Sequence, residues 1–382
     1  LKKIFAILII QLFSYNLLLS QSDSIKKQPA NIVKKITNRI QKFQEGNVRF
    51  VPVPTFSVSP ERGASFGLLL EYLFNAGVGE GKKITRVSNA YTNVQYTTLN
   101  QLIAEGVYSI YTNKEKYFLQ GAIGYRDFYE RFWTFSKNNV ANNDYKNVDY
   151  KTFYARGKWV HQLRNKNFIG INFWVSSFYD VEISKNNIEE DIDVSGKSGS
   201  YVVGVGPLYV KDERDNQFSP TKGWYAEAGL RFHDKAIGSQ YNFNLLNADL
   251  RRYITLKEKN ILAFNCTATL TNGELPLLEK VRLGNDKIMR GYFTGRFRDN
   301  EFFAAQAEYR RLLGKNFVAA AFMSFGQTAP TLKDFNTQDL QSAAGAGLRY
   351  LLNRDKKIYI RFDAAYTKLG TWGYYINLGD AF

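Results

Sequence analysis

The sequence predicts an all-β protein, a transmembrane antiparallel β-barrel of about sixteen strands, on three observations. From Val48 onward the chain falls into runs of roughly 9–14 residues in which apolar residues recur at every second position, separated by Gly, Asn, Lys and Pro; such runs cross a bilayer when tilted. Residues 1–21, LKKIFAILIIQLFSYNLLLSQ, read as a secretory signal, and no later segment has the apolar length of a spanning helix. Aromatic residues reach 15%, with 25 Tyr and 29 Phe, which suits the interfacial girdles of a membrane barrel better than a soluble core.

In the signal, Lys2 and Lys3 precede an apolar run from Ile4 to Leu19, and Ser20 places cleavage near Ser20 to Ser22. Residues 22–47 form a short basic segment. Within it Ile32, Val33, Ile36, Ile40 and Phe43 fall at helical spacing, so it is either an amphipathic helix at the membrane surface or a solvated leader. The barrel then occupies 48–382. Its runs are 50–58, 64–75, 84–94, 98–111, 116–128, 153–164, 167–179, 200–211, 223–233, 242–255, 260–272, 301–313, 316–327, 343–353, 357–367 and 371–382. An even count is the rule for single-chain barrels.

Alternation is the physical test, because successive strand side chains point to opposite faces. In 223–233, Trp224, Ala226, Ala228, Leu230 and Phe232 oppose Tyr225, Glu227, Gly229, Arg231 and His233. In 301–313, Phe303, Ala305, Ala307 and Tyr309 oppose Ala304, Gln306, Glu308 and Arg310. In 357–367, Ile358, Ile360, Phe362, Ala364 and Tyr366 oppose Tyr359, Arg361, Asp363 and Thr367. One face suits lipid and the other a wet interior. The last run sets Trp372, Tyr374, Ile376, Leu378 and Phe382 on one parity, with Asp380 on the same parity and expected at the water interface.

Between two strand runs lies Leu275 to Asn300, LPLLEKVRLGNDKIMRGYFTGRFRDN, carrying Arg282, Lys287, Arg290, Arg296 and Arg298. Such a segment cannot lie in lipid. The spacing of Pro276, Arg282-Leu283-Gly284 and Met289-Arg290-Gly291-Tyr292 resembles the loop that folds back into the barrel in the BamA/TamA-type outer-membrane assembly-factor superfamily. The resemblance implies a long loop folded into the lumen, with the Arg of the tip paired to polar groups on the wall. Three further stretches, in the same order, share it: the turn Asp212, Arg214, Asp215, Asn216, Pro220 and Gly223; Glu308-Tyr309-Arg310; and Gly345 to Tyr350 with Arg349, followed by Arg361-Phe362-Asp363. The final run, through Tyr374, Ile376, Leu378 and Phe382, resembles the C-terminal insertion signal of outer-membrane barrels.

Two departures stand out. Ser324 occupies a position where the family has a carboxylate, leaving Glu308 and Asp363 as partners for Arg290; Asn285 follows Gly284 where the family has a second glycine. Residues 22–47 are also too short for the POTRA domains of that family, so a POTRA-less member is expected.

A formal charge of +16 would suit nucleic acid, but the basic residues are scattered and no binding motif accompanies them, so none is expected. They fit loops, a polar lumen and anionic headgroups. Two histidines, His161 and His233, offer little to a metal site or triad, and no nucleophile elbow or Walker loop occurs, so the reading is neither an enzyme nor a cofactor protein. Cys266 is single, and the acidic run Glu189-Glu190-Asp191-Asp193 reads as a solvated loop. The resemblance implies a bacterial outer-membrane barrel that inserts or translocates client proteins through a seam between first and last strands. The expected partners are membrane lipids and lipopolysaccharide, the machinery that inserts the barrel itself, and client proteins or further copies of the chain. The alternative is a passive channel or structural barrel without clients.

Overall fold

Period-two alternation becomes a sheet that closes on itself. A computed structural model of the chain describes residues 50–74, 76, 88–112, 116–133, 143–184, 194–257, 259–353 and 357–382. The signal at 1–21, the basic segment at 22–47 and the acidic run at 189–193 lie outside the described residues.

The strands are β1 Phe50–Ser59, β2 Gly63–Phe74, β3 Ser88–Thr97, β4 Leu102–Thr112, β5 Tyr117–Phe132, β6 Lys146–Gln162, β7 Asn167–Ile183, β8 Ser200–Asp212, β9 Gly223–His233, β10 Phe243–Lys257 and β11 Asn260–Gly273. After β12 Val281–Leu283 and β13 Phe297–Asp299 come β14 Glu301–Leu313, β15 Phe317–Ala329, β16 Gln341–Asn353, β17 Ile358–Thr367 and β18 Trp372–Leu378. Sixteen of them form one closed antiparallel barrel in which β11 pairs β14 and β1 pairs β18, while β12 and β13 form a separate two-stranded ribbon. Chain direction reverses at every step, so the start of β1 and the end of β18 share one rim. The connection from β11 to β14 springs from the opposite one.

Alternation sorts the side chains as the sequence predicts. In β14 the rings of Phe303 and Tyr309 face outward, whereas Gln306, Glu308 and Arg310 are buried inside. Exposed aromatics gather towards both rims: Tyr96, Tyr201 and Trp372 on the loop side, Tyr209, Trp224 and Phe317 on the other. In β15 the exposed pair Phe317 and Phe325 is eight residues apart. That is about 27 Å of strand, or about 20 Å along the membrane normal at a tilt near 40°. The span matches a barrel's apolar band.

Two runs are longer than their apolar pattern. β5 continues to Phe132 and β6 begins at Lys146, pairing Tyr129 with Asp149 and Glu130 with Val148. The ladder outlasts the alternation because these residues lie beyond the lipid-facing band. At the other extreme β18 stops at Leu378. Gly379 takes a left-handed φ of 82° while its N–H donates to the Tyr359 carbonyl at 2.7 Å, and the chain then turns inward.

That turn corrects two expectations. Phe382 is buried against Tyr253 rather than on the lipid face, and Asp380 leaves the water interface to pair with Arg310 and Arg349. A left-handed residue cancels the parity on which both were assigned.

Sixteen strands enclose more space than wall side chains fill. Leu283, Ile288, Met289 and Tyr292 of the β11–β14 connection pack on Phe302, Ala304 and Ala343, and Leu277 and Leu278 pack on Phe132, Val148, Tyr150 and Phe178.

Candidate functional site

The inward faces of three strands concentrate charge. β14 contributes Glu308 and Arg310, β16 Arg349, and β17 Arg361 and Asp363, all buried. Register makes them neighbours: Asp363 lies opposite Gly347, and Arg349 opposite Arg361. Gly347 is required here, since a Cβ at that position would stand 2.0 Å from Asp363 Oδ1 and 2.4 Å from Arg349 Nη1.

Arg290 reaches this patch from the β11–β14 connection. It is 1% exposed, donating from Nη1 to Asp363 Oδ2 at 2.6 Å and from Nη2 to Glu308 Oε2 at 2.8 Å. Nη2 also lies 3.5 Å from Gln306 Oε1, and the guanidinium sits 3.4 Å from the centroid of the Phe322 ring. Charge-assisted bonds to two carboxylates plus an aromatic face supply what a desolvated guanidinium needs.

The carboxylates are themselves shared. Arg349 donates to Asp363 Oδ1 at 2.8 Å and to both oxygens of Glu308 at 3.2 Å. Arg310 donates to Glu308 Oε1 at 2.7 Å, Asp380 Oδ2 at 3.2 Å, and the backbone oxygens of Phe382 and Pro220 at 3.1 and 3.4 Å. Arg361 bonds Asp286 at 3.0 Å, as does Asn377, and stands 3.5 Å from Asp363. Four guanidiniums (Arg290, Arg310, Arg349, Arg361) thus face four carboxylates (Glu308, Asp363, Asp380, Asp286). Glu308, Asp363 and Asp380 are buried and Asp286 is 36% exposed, so the inner part of the cluster depends on close pairing rather than on solvent.

Local backbone chemistry shapes the tip. Asn285 Oδ1 accepts from the N–H groups of Lys287 and Ile288 at 2.7 and 3.0 Å, an Asx turn that reverses the chain. Met289 and Gly291 follow with φ of 53° and 104°. Gly291 cannot be replaced freely, because a Cβ would lie 2.7 Å from Thr367 Cγ2; its N–H donates to the Tyr375 hydroxyl at 2.9 Å. The Tyr292 hydroxyl donates to the Ser342 carbonyl at 2.8 Å, and burial pushes its phenol up to about 12. Gly284, with φ 93°, backs against Tyr292.

Beyond the tip the connection is fastened elsewhere on the wall. Arg282 donates to Glu130 at 2.6 Å, and Arg298 bonds the same carboxylate. Thr294 donates from N and Oγ1 to Glu61 Oε1 at 2.8 and 2.9 Å.

The other sequence-selected residues lie in the turn between β8 and β9, at the C-terminal strand and on β15. In the turn between β8 and β9, Arg214 pairs with Asp212 at 2.8 Å and lies over the Tyr225 ring, while Asn216 Oδ1 accepts from the Phe218 and Ser219 N–H groups. Asp215 accepts from Thr221 N and Oγ1 and from Lys222 N. Burial alone would raise its carboxyl, but those hydrogen bonds outweigh it and hold the group below its ordinary value. Gly223 closes the turn with φ 112°. Through the Pro220 carbonyl this turn joins the Arg310 cluster. In β18, Tyr374 and Leu378 are exposed and Ile376 is half-buried; past its end Phe382 lies inside. Ser324 is buried opposite Gln306, and Arg290 makes no bond to it.

Sequence reasoning missed Glu130, Glu61, Asp286, Asp380 and Tyr375. Tyr375 stood on the inward parity of its run and could have been read. Glu130 fell past the end of an apolar pattern that stopped at 128. Among the described residues no group of three or more His, Cys, Asp or Glu is placed to hold a metal ion. What the cluster offers chemically is an electrostatic clamp between a chain segment and the barrel wall.

Comparison with known proteins places this geometry. The barrel resembles BamA from Haemophilus ducreyi lacking POTRA domains 1–3, at a TM-score of 0.58 and 15% identity, covering 87% of this chain and 70% of that one. It also resembles CdiB from Acinetobacter baumannii (TM-score 0.54, 11% identity, 86% of this chain) and CdiB from Escherichia coli (TM-score 0.54, 9% identity, 85%). The chain spans 59% and 62% of those two proteins' lengths. At these identities the likeness is one of fold. No curated protein matches the sequence. The Omp85 superfamily domain matches residues 74–368, more than three quarters of the sequence, and the chain belongs to the Omp85 superfamily.

Proposed function

We propose that this barrel inserts or translocates client proteins at the bacterial outer membrane through a lateral seam between β1 and β18, with the Arg290 segment as an internal brace. The observation that carries the reading is the uneven pairing of β1. It matches β2 over ten residue pairs, Phe50↔Tyr72 to Ser59↔Gly63, but meets β18 at Val58 opposite Ile376. β17 and β18 share seven pairs. Because the chain turns inward after Gly379, the edge of β1 before Val58 faces no ladder partner among the described residues. An edge of that kind is where an extended client segment can add a strand. Pro52 and Pro54, both exposed, fit an edge strand because they lack ladder donors.

In this reading the outward aromatics contact lipid and lipopolysaccharide, and the barrel itself is inserted by the outer-membrane assembly machinery. The test is to lock the seam. Val58→Cys with Ile376→Cys, in a Cys266→Ser background, places one thiol on each facing strand. If the seam opens in function, envelope integrity fails when the disulfide forms and recovers with reductant. A locked barrel that supports normal growth assigns the protein to passive channels instead.

A further inference from the structure

Beside the β11–β14 connection, and sharing Asp286 with the Arg290 cluster, lies a chamber of about 500 Å3, a volume typical of small-ligand sites. Four carboxylates line it, and each is already held. Glu61 accepts from Thr294, Glu130 from Arg282 and Arg298, Glu279 from Trp174 and Ser176, and Asp286 from Arg361 and Asn377.

Three arginines line the same chamber without such a partner. Among the described residues Arg62, Arg126 and Arg231 make no ion pair with a carboxylate. Arg126 donates to the Tyr154 hydroxyl at 3.2 Å and stacks 5.0 Å from that ring. Arg231 lies 5.3 Å from the Trp174 ring, and Arg62 comes from the turn joining β1 and β2. Stacking on aromatic rings fixes the Arg126 and Arg231 planes while leaving N–H donors unspent. The neighbouring carboxylate Glu105 is bonded to Arg156 and Tyr154 rather than to any of the three.

We propose that this chamber is an oxyanion-binding site for a phosphate-bearing ligand, addressed by Arg62, Arg126 and Arg231. Three guanidiniums lining one chamber, from a turn and two separate strands, β5 and β9, supply more N–H donors than a carboxylate with two oxygens can use and suit a group with three or more anionic oxygens. Five basic side chains line the chamber (Arg62, Arg126, Arg231, Lys280 and Arg282) against four carboxylates, so an entering anion meets a net positive lining in a partly enclosed space. There a charge-assisted bond is stronger than at a surface. The same chemistry is presented by free phosphate and by a phospholipid head.

The experiment is calorimetric titration of the full chain, purified in a zwitterionic detergent, with inorganic pyrophosphate. Saturable binding is expected, weakened about tenfold or more by each of Arg62→Gln, Arg126→Gln and Arg231→Gln, with Arg62→Lys weakened less. Heat-modifiability in gels verifies that each variant is folded, since none of the three belongs to the Arg290 cluster. Competition then separates the sources. Displacement of pyrophosphate by dihexanoyl phosphatidic acid far better than by glycerol 3-phosphate assigns a lipid head, and equal displacement assigns a soluble phosphate. No saturable binding in the folded wild type, or binding that the three Gln variants leave unchanged, overturns the proposal.

Discussion

Replacing Arg290 with Ala removes two charge-assisted hydrogen bonds, at 2.6 Å to Asp363 and 2.8 Å to Glu308, and the contact with the Phe322 ring. Glu308 keeps Arg310 and Arg349, and Asp363 keeps Arg349, so neither carboxylate is stranded alone. Glu308 and Asp363, both fully buried, nevertheless each lose a cationic partner. Breaking a buried pair in this way costs about 3–5 kcal/mol. Unfolding entropy near 2.1 cal/mol/K per residue, over the roughly 330 residues from 50 to 382, converts that to a fall in Tm of about 4–7 °C.

The assay is thermal unfolding in detergent followed by circular dichroism, with heat-modifiability in gels beside it. Arg290→Lys restores the charge but not the fork that spans two carboxylates, so its loss is intermediate. A double-mutant cycle with Asp363→Asn supplies the control, because a direct contact makes the combined loss differ from the sum by about 0.5–3 kcal/mol. Arg290→Ala melting with the wild type, or strictly additive losses, would refute the argument.

Gly347→Ala places a methyl among Asp363 and Arg349, so it lowers Tm by an amount comparable to Arg290→Ala although no charge changes; the same melting assay checks it. In the turn between β8 and β9, the folded Asp215 carboxyl lies below its ordinary value near 3.8. Its contribution is therefore complete above that value and disappears as pH falls through the folded one. The stability gap between wild type and Asp215→Asn should be open at neutral pH and closed in strong acid; a gap that widens in acid contradicts the hydrogen-bond account.

Much of the barrel was legible because period two is imposed by the pleat and survives in every strand that touches lipid on one side. The faces of β9, β14 and β17 were readable for that reason. Ladder ends were not, since Glu130 and Val148 pair beyond the membrane band, where nothing forces alternation. The C-terminal turn was hidden by a single glycine: parity counting carries Asp380 and Phe382 outward, and a left-handed Gly379 carries them in. Of the charged cluster, Glu308, Arg310, Arg349 and Asp363 could be selected by parity. Asp286 and Asp380 could not, because each depends on how an irregular segment folds back in three dimensions.

Glu61 sits in the turn between β1 and β2, and its bonds to Thr294 pin that turn to the β11–β14 connection. Along the rest of β1, among the described residues, β18 is met only at Val58 opposite Ile376. A strip fixed at one end behaves as a cantilever, with displacement growing away from the anchor. Any separation of β1 from β18 should therefore be widest at the rim shared by both chain ends and vanish towards Glu61. Releasing that one carboxylate would turn a hinge into a sliding edge.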